Sequence, residues 1–535
     1  MPDARNEDSV AQLMTRLVQG KVSRRGFLEG ATALGLSIAA ATSLLSEARA
    51  ATPNKGGLLR AGLDGGATTD TLDPATFPDT FIIAFNFGCL RNCLTEVDSE
   101  GKLVGELAES WESSDDATQW TFKLRQGIEF HNGKTMDADD VVASINHHRG
   151  EDSTSAAKSI LDAVEDIKAD GKDTVVLTLS GGNADAPFLM SDYHLVILPA
   201  SEGKVDWQSG VGTGGYSLTS FEPGVRATAK RNPNYWKAGR ANFDEVELIG
   251  IQDVVARTNA LMTDEIDVMS TVDLKTVDRL KQKAGVRVEQ TTGTSHKTFA
   301  MFTDVPPFDD NNVRMALKLG IDREQLVQNV WRGYAVLGND HPIAPANRFH
   351  AGDIPQRTYD PDKAKWHLKQ AGLSSLKIDL SASDGAYSGA VDAATLYKEQ
   401  AAKAGIDINL IREPADGYWS NVWLKKPYVA VSWSGRATED WMFSTAYAAG
   451  VAWNDTHWNH ERFNKLLVEA RAELDEAKRA EMYGEMQLLV RDEGGVVIPV
   501  FTSYVFAMAD KVQHGPMWGN WDLDGLRLVE RWWMA

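Results

Sequence analysis

The sequence predicts a multidomain α/β or α+β protein, and three observations carry that reading. The chain has 535 residues, more than one hydrophobic core usually organises. Runs of period-two apolar alternation are interleaved with runs of helical period along most of that length, the pattern of mixed strands and helices. No short-period repeat and no low-complexity tract interrupts the alternation.

Taken in order, the first element is a leader. Ser23-Arg24-Arg25-Gly26-Phe27-Leu28 is a twin-arginine export motif, followed by an apolar stretch from Gly30 to Leu45. That stretch falls short of the roughly 18 residues a membrane span needs and is built from Ala and Gly more than from Leu and Ile. Ala48-Arg49-Ala50 is an A-x-A cleavage site. A charged start, a short apolar run and a small-residue cut predict a removable signal over residues 1–50, used by the twin-arginine route. With no cysteine at the cut, the mature chain is expected without a lipid anchor, soluble in a Gram-negative periplasm.

Farther along, "QWTFKLR" (119–125) and "TVVLTLS" (174–180) alternate as half-buried strands do. "DADDVVASINHHR" (137–149) opens on acids and continues apolar at helical spacing, as a helix N-terminus should. Glu461 to Glu493 reads as one long amphipathic stretch, with Phe463, Leu466, Leu467 and Ala470 on one face, ending at Gly494-Gly495. "VVIPVF" (496–501) then predicts a strand.

The formal charge is −20, and residues 1–50 hold six basic and five acidic side chains, which leaves −21 on the mature chain. Nucleic acid is excluded as a partner, since its phosphates call for basic patches. Cys89 and Cys93 are the only cysteines. Their spacing is compatible with a shared helix face, and either a local disulfide or two buried thiols fits an oxidising compartment. No His or Cys pair lies near enough in sequence to complete a metal site with them.

A search for catalytic constellations finds near-misses only. Ser155-Ala156-Ala157-Lys158 matches S-x-x-K, but the S-D-N and K-T-G elements that accompany it in serine acylating enzymes are missing. "GIEFHNGKT" (127–135) places five residues between its glycines where a phosphate loop needs four. Gly212-Thr213-Gly214-Gly215 reads as a tight turn. There is no H-E-x-x-H and no G-x-S-x-G. His457 and His460 are spaced to meet on a helix face but lack a third ligand. The sequence predicts no enzyme and no cofactor.

Several stretches together resemble one family. "LVGELAESWESSDDATQWTFKLRQGIEFHNGKTMDADDVVASI" (103–145), "VGTGGYSL" (211–218), "KRNPNYW" (230–236), "NNVRMALKLGIDREQLV" (311–327) and "YDPDKAKWHLKQAGL" (359–373) follow the order seen in family 5 extracytoplasmic solute-binding proteins. These are the peptide-, opine- and nickel-binding components of ABC importers. The resemblance implies a large, cluster C type, two-lobed periplasmic binding protein fold that closes on its ligand. It divides the chain into a first lobe at 51–294 with an extra subdomain at about 76–210, a second lobe at 295–499, and a return to the first lobe at 500–535. It also implies a monomer that passes a small peptide or peptide-like solute, an anionic, opine-like one included, to an inner-membrane ABC permease. A metal-chelate or haem receptor of the same fold is the alternative within the family, with His457 and His460 its sequence hint. A secreted hydrolase would need a nucleophile–base pair that the motif search does not find.

The resemblance also singles out "WSGRATEDW" (433–441). In peptide-binding relatives the matching stretch reads W-x-G/A-D, with an acid-proline pair soon after, and the aspartate grips the peptide's α-amino group. Here Trp433, Ser434 and Gly435 match, Arg436 replaces the aspartate, and Glu439-Asp440 stands where the acid-proline pair would. A guanidinium suits a carboxylate or phosphate, held bidentately. Arg436 is therefore expected to bind an anionic group, with Glu439 or Asp440 orienting it or binding an amine elsewhere on the ligand. A local Arg436–Glu439 ion pair is the alternative. Six of the sixteen tryptophans fall between Trp419 and Trp458. Trp433, Trp441 and Trp453 are expected to face the ligand, with Tyr418 and His296 near the cleft and the crossing between lobes.

Overall fold

The structure, a computed structural model, describes Gly30 and residues 53–535, so the expected leader lies outside the described residues apart from Gly30. Among the described residues no helix is long and apolar enough to cross a membrane.

One sheet of eleven strands runs through the molecule: β1 (Leu58–Leu63), β2 (Tyr216–Glu222), β3 (Arg226–Arg231), β4 (Glu245–Gly250), β5 (Val268–Met269), β6 (Val286–Met301), β7 (Ala335–Leu337), β8 (Leu376–Ala382), β9 (Ile406–Arg412), β10 (Tyr428–Trp433) and β11 (Val496–Ala509). Their spatial order is β2-β3-β4-β1-β5-β11-β6-β10-β8-β9, with β7 also on β11. The two long strands β6 and β11 belong to both halves. Val286–Thr292 pairs antiparallel with Ser503–Ala509, and His296–Ala300 pairs with Val496–Phe501. Between Thr292 and His296 the register slips. Such a slip bends a strand locally. Gly293 stands at the slip, where a Cβ would come within 2.8 Å of the Tyr504 ring and 3.1 Å of the Thr502 carbonyl.

Each half has its own core. Leu59, Phe81, Tyr216, Leu248, Phe506 and Trp532 pack together in the first lobe. Phe299, Leu317, Leu380, Val429, Phe463, Met486 and Ile498 do so in the second. A third core, including Trp120, Phe122, Val141, Ile167 and Leu177, lies under a separate four-stranded sheet made of Ala108–Ser113, Gln119–Leu124, Thr174–Leu179 and Val164–Ala169. The helix Ala138–Asn146 covers it, opened by a capping box in which Asp137 accepts from the Asp140 N–H and Asp140 returns the contact. The continuous apolar run "VVIPVF" is buried at every residue, as expected of a strand covered on both faces.

The Glu461–Glu493 stretch is two helices, Glu461–Ala472 and Glu476–Glu493. Asp475 separates them because its carboxylate accepts from the Ala477 and Lys478 N–H groups, capping a new helix start. Cys89 and Cys93 are free, buried thiols. The helix Thr80–Asn86 ends before either is reached, and Cys93 Sγ donates to the Asp192 carbonyl at 3.3 Å.

The lobes meet at a second place, remote in sequence from the β6–β11 crossing. The Ala184 N–H donates to the Arg471 carbonyl at 2.7 Å, and Asp185 pairs with Arg479 at 2.7 Å with both side chains buried.

Candidate functional site

A cavity of about 790 Å³ lies between the lobes, within the size range of small-molecule sites. Aromatic side chains wall it on both sides. Phe77, Phe87, Phe188, Tyr193, Trp518 and Trp521 come from the first lobe, Trp441 and Trp453 from the second.

The second-lobe wall is the quoted Trp433–Trp441 segment. β10 ends at Trp433, whose carbonyl accepts from Ser295 Oγ at 3.0 Å, beside the crossing. Residues 434–437 then turn into the cavity. Gly435 makes this approach possible: a Cβ there would sit 1.7 Å from Thr294 Oγ1. Thr438 restarts regular structure as the N-cap of the helix Glu439–Ala446, accepting from the Trp441 N–H at 3.2 Å.

Arg436 lines the cavity. Its guanidinium lies 5.5 Å from the Trp441 ring centroid. Nη1 donates to the Ser434 and Gly435 carbonyls, both at 3.1 Å, while the buried Nε has no hydrogen-bond partner. Burial pulls its pKa below the usual arginine value and Tyr193 opposes that shift, so the group stays a cation. Among the described residues no carboxylate pairs with it.

The other charged groups lining the cavity have partners. Asp192 accepts from the His194 backbone N–H at 3.0 Å and meets His194 Nδ1 at 2.7 Å. Arg527 and Arg531 belong to a buried network with Lys237, Glu96, Glu106, Glu530 and Asp524. Within it Arg527 meets Glu106 at 2.7 Å and Glu530 at 2.8 Å, and Arg531 meets Glu96 at 2.6 Å and Asp524 at 2.9 Å. Burial alone would raise the Glu530 carboxyl, but Lys237 at 2.8 Å helps hold it at about 2. Glu96, Glu106 and Glu530 lie close enough together to suggest a metal site, yet Lys237 and the two arginines already supply the positive charge.

Neither Glu439 nor Asp440 pairs with Arg436. The extended backbone at Thr438 turns the chain into a helix that carries both acids off. Glu439 is buried and accepts from the Phe349 N–H at 2.7 Å, and burial pushes its pKa up to about 7. Asp440 pairs with Arg471 at 3.0 Å. They sit in the helix's first turn, where negative charge complements the dipole. The local Arg436–Glu439 ion pair is therefore not formed.

Trp433 stands one layer behind the wall. Its indole and that of Trp423 both donate to Asp455 Oδ2 at 3.2 Å, and its ring centroid is 6.3 Å from that of Trp453. Burial raises the Asp455 carboxyl to about 6 despite these two donors. Tyr418 lies in the second-lobe core, donating to the Ser381 and Ala430 carbonyls, and does not reach the cavity. His296 does not reach it either: it is buried against Phe501, 5.6 Å between centroids, with its pKa lowered to about 3 by desolvation. His457 and His460 part company, His457 facing Asp304 at 2.9 Å and His460 capping the helix that begins at Glu461. Ser155 is buried, and Lys158 donates to the Glu151 carbonyl, so S-x-x-K forms no catalytic set.

The first-lobe wall has no contiguous sequence signal. Phe188, Tyr193, Trp518 and Trp521 reach the cavity from segments more than 300 residues apart in the chain. An apolar or aromatic residue in a loop reads the same whether it faces a core or a cavity.

The family model "Bacterial extracellular solute-binding proteins, family 5 Middle" matches residues 102–455, more than half of the chain. The dipeptide-binding protein of Escherichia coli K12 is 25% identical over 439 residues, covering 74% of this chain and 80% of that protein. The glutathione-binding protein of the same organism is 26% identical over 445 residues, covering 80% and 86%. A periplasmic binding protein from Helicobacter pylori, solved with the peptide STSA, superposes with a TM-score of 0.69 at 21% identity, covering 90% of this chain and 99% of that one. The chain is thus a bacterial extracellular solute-binding protein of family 5, a transport component built to hold a solute between two lobes.

Proposed function

We propose that this protein captures a peptide or peptide-like anionic solute in the cavity and presents it, as a monomer, to an ABC permease after export by the twin-arginine route to the periplasm. The observation that carries the anionic class is Arg436: a half-buried cation aimed into the cavity, with an unsatisfied Nε and no carboxylate partner among the described residues. A ligand carboxylate or phosphate supplies the missing charge in the geometry a guanidinium favours. The aromatic walls take the ligand's apolar body. Relatives named for binding dipeptides and glutathione support the peptide class.

The lobes are assigned as 51–294, with the subdomain at about 76–210, then 295–499 and 500–535. The register slip between Thr292 and His296 and the separate cores support this division. Ligand contacts to both walls favour the closed arrangement over an open one by population shift. A thermal-shift screen of short peptides, opine-type conjugates and sugar acids tests the reading. Acidic members should raise Tm by mass action. Stabilisation only by cationic or neutral solutes refutes it.

A further inference from the structure

A second space adjoins the ligand chamber. It measures about 700 Å³ and is walled by Leu103, Trp111, Trp120, Arg348 and Glu476. Between the two lies a void of about 20 Å³, room for a single water molecule. Two side chains border the chamber, the void and the second space alike: Phe188 and Trp518.

Trp518 is fixed where it stands. Its indole rests on Gly101, whose missing Cβ would lie 2.2 Å from the ring. Its backbone N–H donates to Asp524 Oδ1 at 3.1 Å, and Asp524 is tied to Arg531 at 2.9 Å. The next residue, Gly519, presses on the Thr292 carbonyl so closely that a Cβ would fall 1.8 Å from it. The partition is therefore mounted on the same point at which the long β6 strand slips register between the lobes.

We propose that Trp518, with Phe188 on the border of the same spaces, is a specificity-determining partition that caps ligand length, and that the second space is an annex able to take the tail of a longer linear peptide once the indole is removed. This rests on the chamber being the peptide-class site. Arg436 borders both the chamber and the void, so a ligand anchored there by its carboxylate lies beside the aromatic pair. Past the pair, toward the second space, the void has room for one water only.

Alanine peptides of two to six residues, titrated calorimetrically into the wild-type protein and Trp518→Ala, test the idea, with Trp518→Leu as a milder variant should the first fail to fold. The wild type should lose at least tenfold in affinity at one step of the ladder. Trp518→Ala should move that step by one residue or more toward longer peptides. The same cutoff in both proteins, or no cutoff in the wild type, overturns the partition. If neither protein binds any member, the peptide-class reading fails on its own. The crystal structure of Trp518→Ala then decides the partition: chamber and annex merged supports it, and collapse of Phe188 into the gap overturns it.

Discussion

Replacing Arg436 with alanine removes the cation in the chamber that lacks a carboxylate partner among the described residues. Its fold-internal contacts are two hydrogen bonds to the neighbouring Ser434 and Gly435 carbonyls, which solvent can replace, and a cation–π contact with Trp441, so folding should be little affected. Binding should change much more. A charge-assisted hydrogen bond contributes about 1.5–3 kcal/mol, which is about 10- to 150-fold in Kd. Arg436→Lys keeps the charge and loses the planar fork, so it should fall between the two. Arg436→Asp places a carboxylate against the ligand's own and should weaken binding further. The assay is calorimetric titration of the best-stabilising solute from the thermal-shift panel into all four proteins. A Kd for Arg436→Ala within twofold of wild type would refute the anion-grip argument.

Other consequences follow from the buried charges. Glu439 has its carboxyl raised from an ordinary 4.5 to about 7. Unfolded chains then bind fewer protons than folded ones between those values, so stability is lost as pH rises through that window, on the order of 3 kcal/mol by its upper end. Glu439→Gln keeps an acceptor for the Phe349 N–H and should raise Tm at pH 8 while leaving it nearly unchanged at pH 5; equal shifts at both values would contradict the assignment. Asp185→Asn leaves Arg479 buried without its counter-charge whenever the lobes are closed, at a cost of about 3 kcal/mol to that form. Small-angle scattering of the ligand-free variant should show a larger radius of gyration than wild type, and identical curves would argue that the Asp185–Arg479 pair does not hold the lobes together. Burial pushes both cysteine thiols well above their usual pKa, so Ellman's reagent should label neither Cys89 nor Cys93 until denaturant is added.

Much of this was legible in the sequence where local physics decides the outcome. The alternating runs at 119–125 and 174–180 form strands because each buries one face on the same small core. The Asp137 start of a helix was readable because a cap is a local event. The break at Asp475 is equally local, but it hides inside a charged, helix-favouring stretch whose apolar period continues on both sides. In the site, Arg436 and Gly435 stood out through their departure from, and match to, a short pattern. Charge sign alone misdirects at Glu439 and Asp440, since it carries no information on which way a side chain points. The useful signal there was Thr438 followed by two acids, a helix N-terminus, which turns both carboxylates from the cavity. His296 sits close to the crossing in sequence and Tyr418 stands at the start of the tryptophan-rich stretch, yet their rings fill cores. Trp518 and Phe188 could be placed only by the fold that brings residues so far apart in the chain to one void.

Asp455 shows how the tryptophan cluster is arranged. One buried carboxylate holds two indoles, Trp423 and Trp433, and these back the half-exposed Trp453 that lines the chamber. Rigid backing of this kind fixes the ligand-facing ring before the ligand arrives, which limits the entropy lost on binding.

The account depends most on what occupies the chamber beside Arg436. A crystal structure of the protein with the solute it retains on purification, identified by native mass spectrometry, addresses that directly. The prediction is a carboxylate or phosphate oxygen within about 3 Å of the Arg436 guanidinium, the distance of a charge-assisted hydrogen bond. A solute bound between the lobes with a cationic or apolar group against Arg436, or bound outside the chamber, would contradict it.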